Sequence, residues 1–399
     1  METMLSTKPQ QSITTDYDLT CNQCGKLYDK YSLQTFCNAC GQSSIVADFR
    51  LGLSNPKDFI DHNERSMWRY AKAMPLSSQK NRISLGEGWT PILSLNNIGE
   101  KLGMENLLLK DESFNPTGSF KARGLSMAIS KAKELGVTAC IVPTAGNAGG
   151  AMSAYCAKAG IKAIVVMPRH TPIAFQKECM AFGAETVLVD GLISDCAQRV
   201  AAIKSQTDCF DISTMKEPYR LEGKKTLGYE LAEQLNWELP DVILYPAGGG
   251  TGLIGIWKAF HEMKQMGWIN HITTRMIAVQ AENCQPLVAT YNGLQKDCSV
   301  YQGKASVANG LAVPRPFAEK MMLNVLEQSN GLALGISEIE IERNLKEMAS
   351  TEGLLVAPEG AALLSALKQL LAKGEIQHHE KVLLLNTGSA YKYLDNFNF

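Results

Sequence analysis

No apolar run in this chain approaches the ~18 residues that a membrane-crossing helix needs, so the sequence offers no such span. An excess of one charge is missing too: 39 Lys and Arg stand against 40 Asp and Glu, for a net charge of −1. That balance gives no electrostatic reason to expect nucleic acid or an anionic membrane as a partner. The first twenty residues, Met1 to Thr20, are polar and carry acids, which argues against a secretory signal and a transit peptide. Internal repeats, low-complexity tracts and long charge runs are absent as well. What remains is a 399-residue chain, 45% hydrophobic and 20% charged, long enough for two main lobes and a small appendage. Its 11 cysteines lie mostly in apolar segments such as Thr138-Ala-Cys140 and Tyr155-Cys156. They read as buried free thiols, and a reducing, cytoplasmic setting is expected.

Four cysteines break that pattern. Cys21-Asn-Gln-Cys24-Gly25 and Cys37-Asn-Ala-Cys40-Gly41 form two Cys-x-x-Cys-Gly knuckles with twelve residues between them. This is the spacing of a four-thiolate zinc ribbon, with Cys21, Cys24, Cys37 and Cys40 as ligands and a glycine after each pair to turn the backbone. Four protein ligands leave no open position, so the expected role is structural. A segment this short is expected to have no core of its own and to depend on bound metal. The other reading is a relic that has lost its metal.

From residue 121 onward, continuous apolar strands alternate with helical patterns. Strands are expected at Val137–Pro143, Ile161–Met167, Glu185–Val189, Cys209–Ile212, Val242–Pro246, Arg275–Gln280 and Val382–Leu385. Helices are expected between them at Ala122–Leu135, Ala148–Ala159, Pro172–Phe182, Ser194–Ser205, Lys224–Gln234 and Leu253–Lys264, with two more near Glu338–Ser350 and Gly360–Leu371. Strands that are apolar throughout and separated by helices indicate parallel sheets covered on both faces. The fold class is therefore α/β, with two doubly wound open sheets facing across a cleft. The expected division is 1–50 for the cysteine segment, 51–115 with 216–399 for a large lobe, and 116–215 for a small one. Trp68 and Tyr70 should anchor the polar stretch before residue 84, and Gly86-Glu-Gly-Trp-Thr-Pro91 should be a structural turn.

Five stretches are candidates to carry chemistry. Asn115-Pro-Thr-Gly-Ser-Phe-Lys121 delivers a lysine to the start of a helix among small residues. A nucleophilic lysine near pH 7 needs burial or nearby positive charge to bring its pKa down from about 10.4. Thr144-Ala-Gly-Asn-Ala148 joins a strand end to a helix start, where free N–H groups suit a carboxylate. Ala247-Gly-Gly-Gly-Thr-Gly252 does the same, and its glycines require something to approach the main chain closely. It matches neither the dinucleotide fingerprint nor the P-loop. Asn386-Thr-Gly-Ser-Ala-Tyr391 follows the last strand. In Glu217-Pro-Tyr-Arg220-Leu-Glu-Gly-Lys224-Lys225, cations cluster at an expected helix start, where they are either solvated or facing an anion.

The stretch from Asp111 to Leu125 resembles the cofactor-attachment signature of the fold-type II pyridoxal-phosphate enzymes, the tryptophan synthase β and threonine dehydratase group. The resemblance implies that Lys121 holds pyridoxal 5'-phosphate as an imine and that Asn147 meets its phenolic oxygen. It further implies that Gly248, Gly249, Gly250, Thr251 and Gly252 hold its phosphate, while Thr387 faces its ring nitrogen. A hydroxyl there would leave the ring neutral, which favours elimination and replacement over transamination. Thr144 and Gly146 would bind the substrate carboxylate, and Arg220 a substrate phosphate. From Gly86 to the C-terminus the pattern is most similar to the threonine synthase branch. That implies conversion of O-phosphohomoserine and water to threonine and phosphate in a dimeric enzyme. Two departures, Ala145 and Ala148 where hydroxyls are common, and Ala122 where that branch often has Asp, also fit an ammonia-lyase or a cysteate synthase. A non-enzymatic zinc-ribbon interaction protein is the reading from a different class.

Overall fold

The computed structural model describes residues 15–394 and 397. Most of the polar opening stretch Met1 to Thr20 therefore lies outside the described residues. The described chain starts with four antiparallel strands, β1 (Tyr17–Cys21), β2 (Leu27–Tyr28), β3 (Phe36–Cys37) and β4 (Ser43–Phe49), in the order β2-β1-β4-β3. Alternation along β1 and β4 buries Tyr17, Leu19, Ile45, Ala47 and Phe49, and these side chains join the core that also packs the six-stranded sheet described below. The ribbon has no separate core of its own and packs its apolar face into this shared one. Ser44 donates to the carbonyl of Met215 at 2.9 Å, and the Lys225 ammonium sits 3.9 Å from the Phe49 ring centroid.

The four cysteine sulfurs all lie within 4.8 Å of one another, with Cys21–Cys40 at 3.4 Å and Cys24–Cys37 at 3.8 Å. A tetrahedral zinc with Zn–S bonds of about 2.3 Å spaces its sulfurs by about 3.8 Å, so the donor set fits one such ion. The backbone N–H groups of Gln23 and Cys24 point at Cys21 Sγ, as a thiolate requires.

Next come α1 (Pro56–Phe59), β5 (Ile92–Ser94), α2 (Asn96–Leu102), β6 (Leu107–Asp111) and α3 (Lys121–Glu134). The Gly86–Pro91 turn is structural, since Glu87 is fully buried and accepts from Trp68 Nε1, Ser126 Oγ and Tyr155 Oη. A small parallel sheet follows: β7 (Ala139–Pro143), α4 (Asn147–Ala159), β8 (Lys162–Pro168), α5 (Ile173–Ala181), β9 (Glu185–Val189), α6 (Ile193–Lys204) and β10 (Phe210–Asp211). Its strand order is β10-β7-β8-β9. The remaining elements are α7 (Tyr219–Gln234), β11 (Val242–Pro246), α8 (Thr251–Gln265), β12 (Arg275–Ala281), α9 (Pro286–Tyr291) and α10 (Glu319–Gln328). They end with β13 (Leu332–Ile336), α11 (Glu338–Glu352), α12 (Pro358–Ala372) and β14 (Val382–Asn386). The large sheet runs β13-β12-β11-β14-β6-β5, parallel except at β5.

Two devices fix where α3 begins. One is a close crossing with α7: a Cβ on Gly223 would overlap the carbonyl of Arg123, and one on Gly124 would meet the carbonyl of Arg220 at 3.0 Å. The other is a buried ion network. Arg123 bonds Glu112 of the loop after β6 at 2.7 Å and Glu230 of α7 at 2.8 Å, and Lys110 of β6 bonds Glu230 at 2.6 Å.

Gly223→Ala should force α3 and α7 apart and destabilise the protein by about 1–3 kcal/mol, read as a lower thermal midpoint. An unchanged midpoint would mean that the crossing is loose. Elemental analysis should find a single zinc per chain, lost in Cys37→Ser. Chelation should lower the midpoint without unfolding the lobes, because the docked face is held by their core.

Candidate active site

The starts of several helices line one cavity, and three of them, those of α3, α4 and α8, come from the loops singled out in the sequence. Phe120 and Lys121 at the start of α3, Gly146, Asn147 and Ala148 at the start of α4, and Gly250 and Thr251 at the start of α8 all line a space of about 780 Å³. Each start lacks a side-chain cap: the preceding residues are Phe120, Gly146 and Gly250, and none donates or accepts in that role. Uncapped helix starts leave N–H groups without partners and carry about half a positive charge each. Convergence of three makes the cavity a site for anions.

Lys121 stands within this field. Enclosure by protein, reinforced by the nearby Arg220 guanidinium and opposed by Glu359, brings its pKa from the ordinary 10.5 down to about 8. Its ammonium lies 4.6 Å from the Phe120 ring centroid. Thr144, Gly146, Asn147, Gly248, Gly249, Gly250, Thr251 and Thr387 also line the cavity. Gly252 does not, and a Cβ there would overlap Tyr245 Oη. The glycine run is required by the protein itself as well: side chains at 248, 249 and 250 would strike Gly310, Thr214 and Met322. Gly250 also sits at φ +75°, a left-handed conformation that favours glycine.

The basic cluster is arranged otherwise than its sequence suggests. Helix α7 starts at Tyr219, with Glu217 accepting from the backbone N–H groups of Tyr219 and Arg220. Lys224 and Lys225 therefore lie in its second turn, where they are buried and neither solvated nor facing the cavity. Lys225 pairs with Glu222 at 2.6 Å and Glu262 at 2.9 Å, while Lys224 donates to the carbonyl of Phe120. Arg220 is buried one layer behind the cavity wall. Its Nη1 donates to Ile212 O at 2.7 Å, and its Nε has no partner among the described residues.

Sequence reasoning missed several wall residues. Glu359 in the first turn of α12 accepts from Gly310 N at 2.7 Å and Tyr393 Oη at 3.0 Å, and burial holds its carboxyl above the ordinary range. Asn309, Lys216 and Arg315 also face the space. No local motif marks them; they are brought there from distant parts of the chain.

A family model described as pyridoxal-phosphate dependent enzyme matches residues 83–388. The chain belongs to that family. Its cofactor is pyridoxal phosphate, and the cavity fits it: the phosphate suits an uncapped helix start, and the aldehyde suits an enclosed amine of lowered pKa. Threonine synthase of Methanocaldococcus jannaschii is 31% identical over 375 residues, 93% of this chain and 92% of the relative. The threonine synthase of Methanosarcina acetivorans is 31% identical over 379 residues, 94% and 92% of the two chains. Among solved structures, maize serine racemase shares the fold with a TM-score of 0.64 at 22% identity, over 77% of this chain and 93% of that one. Threonine deaminase isoform 2 of Solanum lycopersicum gives 0.65 at 18%, over 87% and 96%.

The lowered pKa has a measurable sign. Between about pH 8 and 10.5 the cofactor-free folded protein has released a proton that the unfolded chain still holds. This lysine therefore opposes folding below pH 8, and its penalty fades as pH rises through that window. Acylation of Lys121 in the cofactor-free protein, followed by peptide mass spectrometry, should show a midpoint near pH 8. A midpoint above 10 would contradict the enclosure.

Proposed function

We propose that this enzyme is a lyase that converts O-phosphohomoserine and water to threonine and phosphate. The observation that carries the reading is the convergence of three uncapped helix starts on one lysine, in a chain that matches threonine synthases over more than nine-tenths of its length. A doubly anionic substrate and an anionic cofactor together need such a cavity, and Lys216 and Arg315 add cations to its wall.

In this reading Lys121 is the residue that carries the cofactor, and the start of α8, from Gly248 to Gly252, receives its phosphate. Thr144 and Gly146 at the start of α4 bind the substrate carboxylate, Asn147 meets the ring oxygen, and Thr387 meets the ring nitrogen. Bound pyridoxal phosphate supplies the electron sink that makes the proton beside the amino group acidic. Lys121, with a pKa near the working pH, takes that proton and is placed to return it. Protons leave Cα and Cβ, phosphate departs from Cγ, and a proton returns to Cγ. The hydroxyl of water then ends on Cβ, and Cα is reprotonated. Arg220 is kept as a candidate for the substrate phosphate, reaching it only through the wall at Thr214, whose Oγ1 it contacts at 3.4 Å. The division into 1–50, 51–115 with 216–399, and 116–215 is proposed on the separate sheets, and a cytoplasmic homodimer on the kind of enzyme. A structural zinc on the four cysteines completes the reading.

A second reading rests on Ala145 and Ala148, which line the cavity without hydroxyls. It makes the enzyme an ammonia-lyase acting on threonine or serine, or a cysteate synthase. Incubation with O-phosphohomoserine should release threonine and phosphate in equal amounts, and Lys121→Ala should abolish this together with the visible absorbance of the purified protein. Formation of 2-oxobutanoate from threonine, or of cysteate from phosphoserine and sulfite, with O-phosphohomoserine untouched, would replace the first reading by the second.

A further inference from the structure

The stretch after β14 is laced to the loop that carries Lys121. Phe120 N donates to Thr387 O at 3.0 Å, Ser389 N donates to Gly118 O at 2.9 Å, and Ser119 bridges to Gly388. Three residues further on, Lys392 turns back over this seam. Its ammonium donates to Thr117 O at 2.6 Å, to Asn147 Oδ1 at 3.1 Å and to both oxygens of Glu178 at 2.8 Å. These acceptors belong to three different pieces: the loop before α3, the first residue of α4, and α5. Lys392 and Glu178 each keep only 15% of their side chains exposed, so the pair is shielded from screening by solvent.

The chemistry of the ammonium decides which way the Asn147 amide points. A lysine ammonium has three protons and no lone pair, so it can only be faced by the carbonyl oxygen of an amide. With Oδ1 committed, the NH2 side of Asn147 is turned away from Lys392, and Nδ2 has no acceptor among the described residues. Nδ2 lies 3.3 Å from where a Cβ on Gly388 would stand, so that glycine leaves it room. The second glycine of Gly149-Gly150 is explained by the same device: a Cβ on Gly150 would overlap the Glu178 carboxylate that neutralises Lys392.

We propose that Lys392 is a positioning residue that locks the Asn147 amide with its NH2 group, and not its oxygen, presented to the cofactor, and that ties this amide to the Lys121 loop. The inference rests on the placement of Asn147 at the cofactor's ring oxygen given above. A donor there favours the anionic form of that oxygen, whereas an amide oxygen would repel it. Thr117, held at φ +59°, is pinned through its carbonyl by the same ammonium, so the seam also holds a strained residue four positions before Lys121.

Lys392→Met alone strands the Glu178 charge and should lower thermal stability. The double variant Lys392→Met/Glu178→Gln removes that charge and separates stability from orientation. It should regain the wild-type thermal midpoint while keeping a shifted visible absorbance, weaker binding of pyridoxal phosphate, and a kcat lower by about tenfold or more with a smaller change in KM. In an Asn147→Ala background, Lys392→Met/Glu178→Gln should shift the absorbance no further, because the amide it orients is gone. A double variant with wild-type absorbance, cofactor affinity and kcat would overturn the inference, as would an additional shift in the Asn147→Ala background. A wild-type protein that binds no pyridoxal phosphate would overturn the cofactor reading, and the inference with it.

Discussion

Lys121 carries its amine where the fold has already gathered positive potential, at the junction of three helix starts that no side chain caps. A protonated amine is disfavoured there for two reasons: it is enclosed, and its surroundings are positive. The rest of the molecule is the means of holding that arrangement. Arg123, two residues into α3, is buried between Glu112 and Glu230, and Lys110 completes the charge balance. Losing one member of such a network would leave a bare buried charge, at a cost of about 3–5 kcal/mol. The glycines of the α3–α7 crossing then set how closely the helix may approach, so the start of α3 has little freedom to move.

The same economy of anchoring recurs at the edges. The cysteine ribbon docks β1 and β4 on the core that packs the six-stranded sheet, and Phe36 beside Cys37 packs on Phe317 with ring centroids 5.7 Å apart. Phe317 lines the cavity, and the Lys216 ammonium lies 5.7 Å from its ring centroid. The cysteine knuckle is therefore joined to the wall of the site by two aromatic rings. At the other end, the segment from Thr387 to Tyr393 closes over the Lys121 loop, and Tyr393 reaches Glu359 inside the cavity.

Much of this was legible from residues alone, for identifiable reasons. The strands of the small sheet are mostly apolar, and helices α3, α4 and α5 stop at Gly136, Gly160 and Gly183, all at positive φ. Their boundaries are readable to within a residue or two. The short antiparallel edge β5, the helix α2 and the glycine-containing β13 lack so strong a pattern and were not anticipated. Helix α7 begins five residues before its expected start, because Glu217 caps it from outside and the lysines that looked like a helix start are buried in its second turn, Lys224 on the Phe120 carbonyl and Lys225 on Glu222 and Glu262. Loops at strand ends gave away Thr144, Gly146, Asn147 and the Gly248–Thr251 run as cavity residues, since chain direction alone puts them at the mouth of a sheet. Glu359 and Asn309, which line the cavity, and Lys392, which holds Asn147 at its edge, were hidden, because each comes from a segment more than 150 residues distant from Lys121 with no spacing that ties them.

The central claim is that one enclosed amine at the meeting of these helices carries the cofactor. Borohydride reduction of the purified protein, followed by peptide mapping, tests it directly. The expected result is a phosphopyridoxyl group on the peptide containing Lys121 and on no other. Label on a different lysine, or no label in a protein that still turns over substrate, would contradict the account.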